Sequence, residues 1–234
     1  MTRQSRIAEE ELGGGTSPQD LPLTRPAAIQ QESFRIIEEE LGSHGLSAEE
    51  WLVARRVIHS TGDFEFAQLL QFHSQAFAAA AEAIAAGEDL LSDVEMVRMG
   101  IQGMAHSRHG LRVRCHLNDP LISQQAQAYA TTRSAEGIRH GLQHGCVGIC
   151  VVGNAPTALR AVIEVCEASA RHRPRLIVGV PVGFVDAAES KLALSRTEVV
   201  PWITCLGRKG GSAVAAGIVN ALLQSVPSRR TVEE

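Results

Sequence analysis

Aromatic side chains are scarce in this sequence: six Phe, two Trp and one Tyr among 234 residues. Its core must come from Ala, Val, Leu and Ile, and at 44% hydrophobic residues the material is ample for one domain with a tail. No apolar run approaches the ~18 residues a helix needs to cross a bilayer, so no membrane partner is expected. The opening Met1-Thr-Arg-Gln-Ser-Arg is polar and holds no apolar stretch of the signal-peptide kind. Cysteine is sparse too. Cys115, Cys146, Cys150, Cys166 and Cys205 are odd in number and contain no Cys-x-x-Cys pair. Free, mostly buried thiols in a reducing cytoplasm are expected. Basic residues form no long run and the net charge is −4. Nucleic acid needs a concentrated basic footprint and is not expected as the main partner.

Several signatures of chemistry are also missing. No loop reads Gly-x4-Gly-Lys-Ser/Thr or Gly-x-Gly-x-x-Gly, so a nucleotide is not the favoured ligand. No Gly-x-Ser-x-Gly elbow is present for a Ser-His-Asp hydrolase. His140 and His144 stand at i, i+4, and His106 and His109 at i, i+3. Neither pair has an identifiable third ligand, and Gly141 rules out His-Glu-x-x-His. These histidines read as solvated helix and loop residues, and no metal is expected.

What is present is a change of rhythm. Residues 1–26 hold Gly13-Gly14-Gly15, prolines and scattered charge without a period, and read as a flexible tail. Helices are expected from Ala27 to a stop at Gly42, from the capping box Ser47-Ala-Glu-Glu50 to His59, in a short Asp63-capped segment carrying Phe64, Phe66 and Leu70, and from Ser74 to Ala86. After Gly87, short apolar runs alternate with helix-length segments. The runs are 90–92, 111–117, 147–152, 176–180 and 202–205. The segments between them are 95–101, 120–144 with a break near Thr131-Thr132, 156–171 and 187–195, and a helix at 212–224 closes the series. Five strands alternating with helices imply an α/β fold: a three-layer αβα arrangement on a five-stranded parallel, flavodoxin-like sheet of order 2-1-3-4-5, with additional N-terminal helices. Residues 27–226 are expected to form a single domain, and 227–234 a polar tail.

Ligands of such sheets lie beyond the carboxyl ends of the strands. The loop after the third strand reads Gly153-Asn-Ala-Pro-Thr157, and the loop after the fifth reads Gly207-Arg-Lys-Gly-Gly-Ser212. Both present helix N-termini to the crevice, and Arg208 and Lys209 add formal charge, which suits an anion with several negative groups. Ordinary capping of tight turns explains the glycines and prolines but not Arg208-Lys209. On the capping-box helix, Arg56 and His59 share a face one turn apart. A titratable imidazole beside a fixed cation can donate a proton to an anionic ligand; without a ligand the same residues form a surface Arg-His pair.

Taken together, these stretches resemble the precorrin-8X methylmutase (precorrin isomerase, or cobalt-precorrin-8 methylmutase) family of cobalamin biosynthesis. The resemblance runs from about Ser33 to Leu223. It rests on Glu32-Ser-Phe-Arg-Ile-Ile, Arg55-Arg-Val-Ile-His, Asp93-Val-Glu-Met-Val, Thr132-Arg-Ser-Ala, Gly153-Asn-Ala-Pro-Thr-Ala-Leu, Pro181-Val-Gly-Phe-Val-Asp-Ala-Ala-Glu-Ser-Lys and Gly207-Arg-Lys-Gly-Gly-Ser. It implies an isomerase that moves a methyl group from C-11 to C-12 of a tetrapyrrole, with or without cobalt in the ring. It also implies a homodimer. His59 matches the family's catalytic histidine, which protonates a ring nitrogen, and Ser33 and Arg56 match substrate contacts. Arg133, Asn154 and Thr157 lie in motifs near the substrate. A polycarboxylate corrin precursor suits Arg56, Arg133, Arg208, Lys209 and the helix N-termini. The shift calls for no redox cofactor and no covalent nucleophile, only a placed proton and positioning. Two rivals from other classes remain: a corrinoid carrier without turnover and, on fold alone, a flavin-binding module.

Overall fold

Val-, Ile- and Leu-rich runs bounded by glycine and proline build the centre of the protein, a sheet buried on both faces. The computed structural model describes residues 26–228, so the flexible-tail reading of 1–26, apart from Pro26, which opens a helix, and most of the polar tail lie outside the described residues. Contacts divide the chain after Gly42 into two units. The described part of the first is one helix, α1 (Pro26–Leu41), with proline at its first position and Gly42 (φ 67°) in the left-handed region at its end. Within α1, Arg35 pairs with both Glu32 and Glu39.

The second unit starts with α2 (Ala48–Thr61), α3 (Phe66–Leu69), β1 (Leu70–Phe72) and α4 (Ala76–Ala86). Then come β2 (Asp89–Ser92), α5 (Glu95–His109), β3 (Val113–Arg114), α6 (Pro120–Ala128), α7 (Arg133–His144), β4 (Val147–Val152) and α8 (Pro156–Ala168). A 3₁₀ turn at Ala170–His172 leads to β5 (Leu176–Gly179), α9 (Ala187–Ser195), β6 (Trp202–Cys205) and α10 (Ser212–Ser225). The strand order is β1-β6-β5-β4-β2-β3, and β3, β2, β4, β5 and β6 run parallel in the order expected.

Three expectations need correction. The sheet has six strands, because Leu70–Phe72 pairs antiparallel with β6 in the register Leu70↔Cys205 and Phe72↔Ile203. Three residues following one turn of helix carry no period of their own, and their conformation comes from a partner about 130 positions away. The second parallel strand contracts from 111–117 to Val113–Arg114. Helix α5 runs past Ile101 to His109 and closes on Gly110 (φ 68°), while Gly100 within it lets α10 approach: a Cβ there would lie 2.8 Å from the Cβ of Ala216.

One face of the sheet packs on α7, α8 and α9 through Leu91, Cys150, Val152, Ile177, Leu159 and Val162. The other packs on α10, which touches α2, α4 and α5. Val214, Ile218, Val219, Leu222 and Leu223 of α10 are at most 1% exposed, and truncating one such leucine costs about 2–5 kcal/mol. Where α2 crosses α10, Gly217 permits the approach: a Cβ there would stand 3.0 Å from Ser60 Oγ and 3.5 Å from Val57 Cα. The end of α2 is thereby set against the middle of α10.

Candidate active site

Helix α2 begins in the expected capping box, with the Glu50 amide donating to Ser47 Oγ at 3.2 Å and the Ser47 amide to Glu50 Oε2 at 2.8 Å. It buries Val53, Ala54, Val57 and Ile58. Its last turn closes on Gly62 (φ 66°), whose N–H reaches the Ile58 carbonyl at 2.8 Å. This geometry leaves His59 on the exposed side and Arg56 half-buried one turn earlier. Arg56 Nη1 is buried and makes no hydrogen bond among the described residues, and burial lowers its pKa. The His59 pKa is lowered first by local burial and then by the Arg56 charge. An approaching anion would offset the Arg56 charge.

The turn after α2 is tied to the loop after β6. Asp63 Oδ1 accepts the Glu65 amide at 3.0 Å, while Lys209 Nζ reaches Asp63 Oδ2 at 2.5 Å and Glu65 Oε2 at 3.0 Å. Lys209 holds the Asp63 pKa down. Two carboxylates therefore occupy the Lys209 charge expected to face an anion, and this lysine tethers the β6–α10 loop to the histidine-bearing turn. The Lys209 carbonyl in turn accepts Nζ of Lys191, a fully buried α9 residue, at 2.5 Å. Burial depresses the Lys191 pKa, opposed by Cys205. Gly211 N–H bonds the Val180 carbonyl at 2.8 Å, and a Cβ on Gly210 (φ 151°) would lie 2.3 Å from that oxygen. Only glycine permits this approach. Arg208 remains exposed, its guanidinium 5.5 Å above the Phe184 ring, and Phe184 is 84% exposed.

The loop after β4 hangs on one carboxylate. Asp93, 2% exposed at the end of β2, accepts the amides of Gly153 (3.1 Å), Asn154 (2.9 Å) and Ala155 (2.8 Å). Burial raises its pKa, and the three amides pull it back. Asp93 thus fixes the loop that leads into α8, a helix with no side-chain cap at Ala155. Beside it, Thr132 caps α7 and its hydroxyl lies 2.8 Å from that of Thr157, so Arg133, Asn154 and Thr157 share one corner. A Cβ on Gly153 would stand 3.1 Å from Ser212 Cα and 2.8 Å from the Ala215 Cβ, which brings this corner against the start of α10 and the β6 loop.

The second unit carries Arg56, His59, Arg133, Asn154, Thr157, Arg208 and Lys209: the Lys209–Asp63 pair joins the turn after His59 to the β6 loop, and Gly153 sets the Asn154 corner against the start of α10. Ser33 belongs to the first unit, where its hydroxyl donates to the Ile29 carbonyl at 2.8 Å. Sequence reasoning quoted Asp93 and Lys191 inside motifs but gave them no role. For Asp93 the available signal was an acid closing one central strand beside a loop rich in free amides. The histidines also fall differently: His116 joins His140 at 5.0 Å and His140 stacks on His144 at 4.5 Å between centroids. Among the described residues no group of three or more His, Cys, Asp or Glu is arranged to hold a metal ion. Cys150, Cys166 and Cys205 are buried as expected, Cys115 is half-buried, and Cys146 is exposed.

The chain matches the family model for CbiC, precorrin-8X methylmutase, over residues 28–225. It is 39% identical over 202 residues to the cobalt-precorrin-8 methylmutase of Priestia megaterium, covering 86% of this chain and 89% of that one. It is 41% identical over 198 residues to the precorrin-8X methylmutase of Pseudomonas aeruginosa, covering 83% and 93%. The solved precorrin-8x methyl mutase from Thermus thermophilus superposes with a TM-score of 0.77 at 41% identity, covering 85% of this chain and 95% of that one.

Proposed function

The chain belongs to the precorrin-8X methylmutase family, and from that premise we propose that it moves a methyl group from C-11 to C-12 of precorrin-8X or cobalt-precorrin-8. The product is hydrogenobyrinic acid or its cobalt form. Such a shift is an isomerisation, so no atom is gained or lost and no electron acceptor enters. His59 lends a proton to a ring nitrogen and takes it back once the methyl has moved, and its exposure at the end of α2, one turn beyond an arginine with a spare buried nitrogen, is the observation that carries this reading. In the empty enzyme the imidazole is biased toward its neutral form. A ring bearing several carboxylates offsets the Arg56 charge on arrival and favours the imidazolium when it is needed.

Arg56, Arg133 and Arg208 meet substrate carboxylates, Asn154 and Thr157 add neutral hydrogen bonds, and Ser33 contributes as its match to the family motif implies. Lys209 holds the loop in place through Asp63. The enzyme works as a cytoplasmic homodimer, and light scattering at micromolar concentration checks the dimer. For the chemistry, purified His59→Ala and His59→Asn proteins are incubated with precorrin-8X and product formation is followed by absorbance. Both should lose ~10²–10⁴-fold in rate with the fold retained. Near wild-type turnover in both variants would remove His59 from the mechanism, and turnover kept by His59→Asn alone would reduce it to a hydrogen-bonding role.

A further inference from the structure

A cleft of about 430 Å³ opens at the amino ends of β2, β4 and β5, the edge of the sheet opposite the loops of Asn154 and Lys209. Arg171, His172, Arg173, Arg175, Cys146 and Glu88 contribute to its wall. Three guanidinium groups thus share this wall with one carboxylate, and a second carboxylate, Glu82, lies 3.5 Å from Arg175 Nη1 on the side of the neighbouring cleft. Arg175 is engaged by that carboxylate, with Nε and Nη2 each 2.8 Å from a Glu88 oxygen. Arg173 Nε caps the end of α8 by donating to the Cys166 carbonyl at 2.7 Å. Neither Arg171 nor Arg173 has a carboxylate partner among the described residues.

The bland account of such arginines is that they complement helix ends, since α7 and α8 both finish here. Each C-terminus is equivalent to about half a negative elementary charge. Together they offset about one of the two guanidinium charges that lack a carboxylate partner, while Glu88 and Glu82 are both taken up by Arg175, so Arg171 and Arg173 are the cations left to a ligand. Its size falls in the ordinary range for small-ligand sites, roughly 300–1,000 Å³. Arg173 and Arg175 also line an adjoining cleft of about 310 Å³ at the amino ends of β5 and β6, so they are reachable from two sides.

We propose that this cleft binds a small polyanion carrying two or more phosphate or carboxylate groups, held by Arg171 and Arg173 across from Cys146. None of these residues belongs to the set assigned to the methyl shift, so the two readings stand or fall separately.

Cys146, the one exposed thiol of the five, reports on occupancy. Its alkylation by uncharged iodoacetamide is followed on the full chain by mass spectrometry, with citrate, pyrophosphate, or sodium chloride at matched ionic strength. Cys146→Ser identifies the labelled site. Citrate or pyrophosphate should slow the labelling about threefold or more at saturation while sodium chloride does not. Arg171→Glu, a change at an exposed position, should raise the half-protecting concentration roughly threefold or more. Protection by citrate alone names a carboxylate ligand, by pyrophosphate alone a phosphate, and by both their shared chemistry; each supports the site. Equal slowing by sodium chloride, no slowing by either anion, or an unchanged response in Arg171→Glu overturns it.

Discussion

Replacing Asp93 by alanine is the sharpest test of how the loop after β4 is held. The carboxylate accepts three amides, and the deletion strands all three at once. Gly153 is buried, so its N–H has no access to replacement water and costs about 1–3 kcal/mol. The amides of Asn154 and Ala155 are only partly buried, and water can recover part of each bond, leaving about 0.5–1.5 kcal/mol apiece. Against this gross loss of roughly 2–6 kcal/mol stands the relief of removing a buried carboxylate, the same effect that raises the Asp93 pKa. The net expectation is a loss of about 2–4 kcal/mol in urea unfolding at pH 7, read by circular dichroism. Asp93→Asn keeps one oxygen able to serve two amides and turns an NH₂ against the third, so it should lose about half as much. Because the loop carries Asn154, both variants should also raise KM. Wild-type stability in Asp93→Ala would refute the reasoning, since desolvation would then cancel all three bonds.

Other outcomes follow from the same physical terms. The kcat/KM of the enzyme should fall as pH rises through a value below 6.5, because His59 of the empty enzyme has a lowered pKa and must be protonated to act; the kcat limb should lie higher, and pH profiles of both constants check the order. Stability should fall as pH drops below about 6.5 toward the lower folded-state pKa of His116, which burial, His140, Arg114 and His144 depress and Asp119 opposes. Thermal midpoints between pH 7.5 and 5.5 report that slope, and His116→Gln should flatten it. Arg56→Ala should weaken product binding about ten- to a hundredfold, one charge-assisted contact of ~1.5–3 kcal/mol. Arg208→Ala should do less because its guanidinium is solvated, and equal losses in calorimetry would count against that ranking.

The parallel part of the sheet was legible because each strand is an apolar run punctuated by glycine or proline, and the crossover rule orders such strands. The capping box likewise announces the start of α2 locally, while its end runs two residues past the expected His59, to Thr61. What could not be read is non-local. Leu70–Phe72 is a strand only because β6 lies beside it. Lys209 reads as a free cation in the loop, yet Asp63 and Glu65, about 145 positions earlier, already neutralise it. Asp93 earns its role from amides 60 to 62 residues away. His116 joins His140 and His144 by the same long reach. Periodicity records which face of an element is buried, and says little about which distant group it meets.

The sheet ends in a strand of three residues on one side, β1, and of two on the other, β3. Each margin thus exposes too few unpaired main-chain groups to template an intruding strand, and this shortness is a known guard against runaway edge-to-edge growth. At the β3 margin, Arg112 and Arg114 both pair with Asp89, adding charge where an added strand would have to lie. An approaching strand would therefore meet few free main-chain groups at either margin and, beside β3, a cluster of charge.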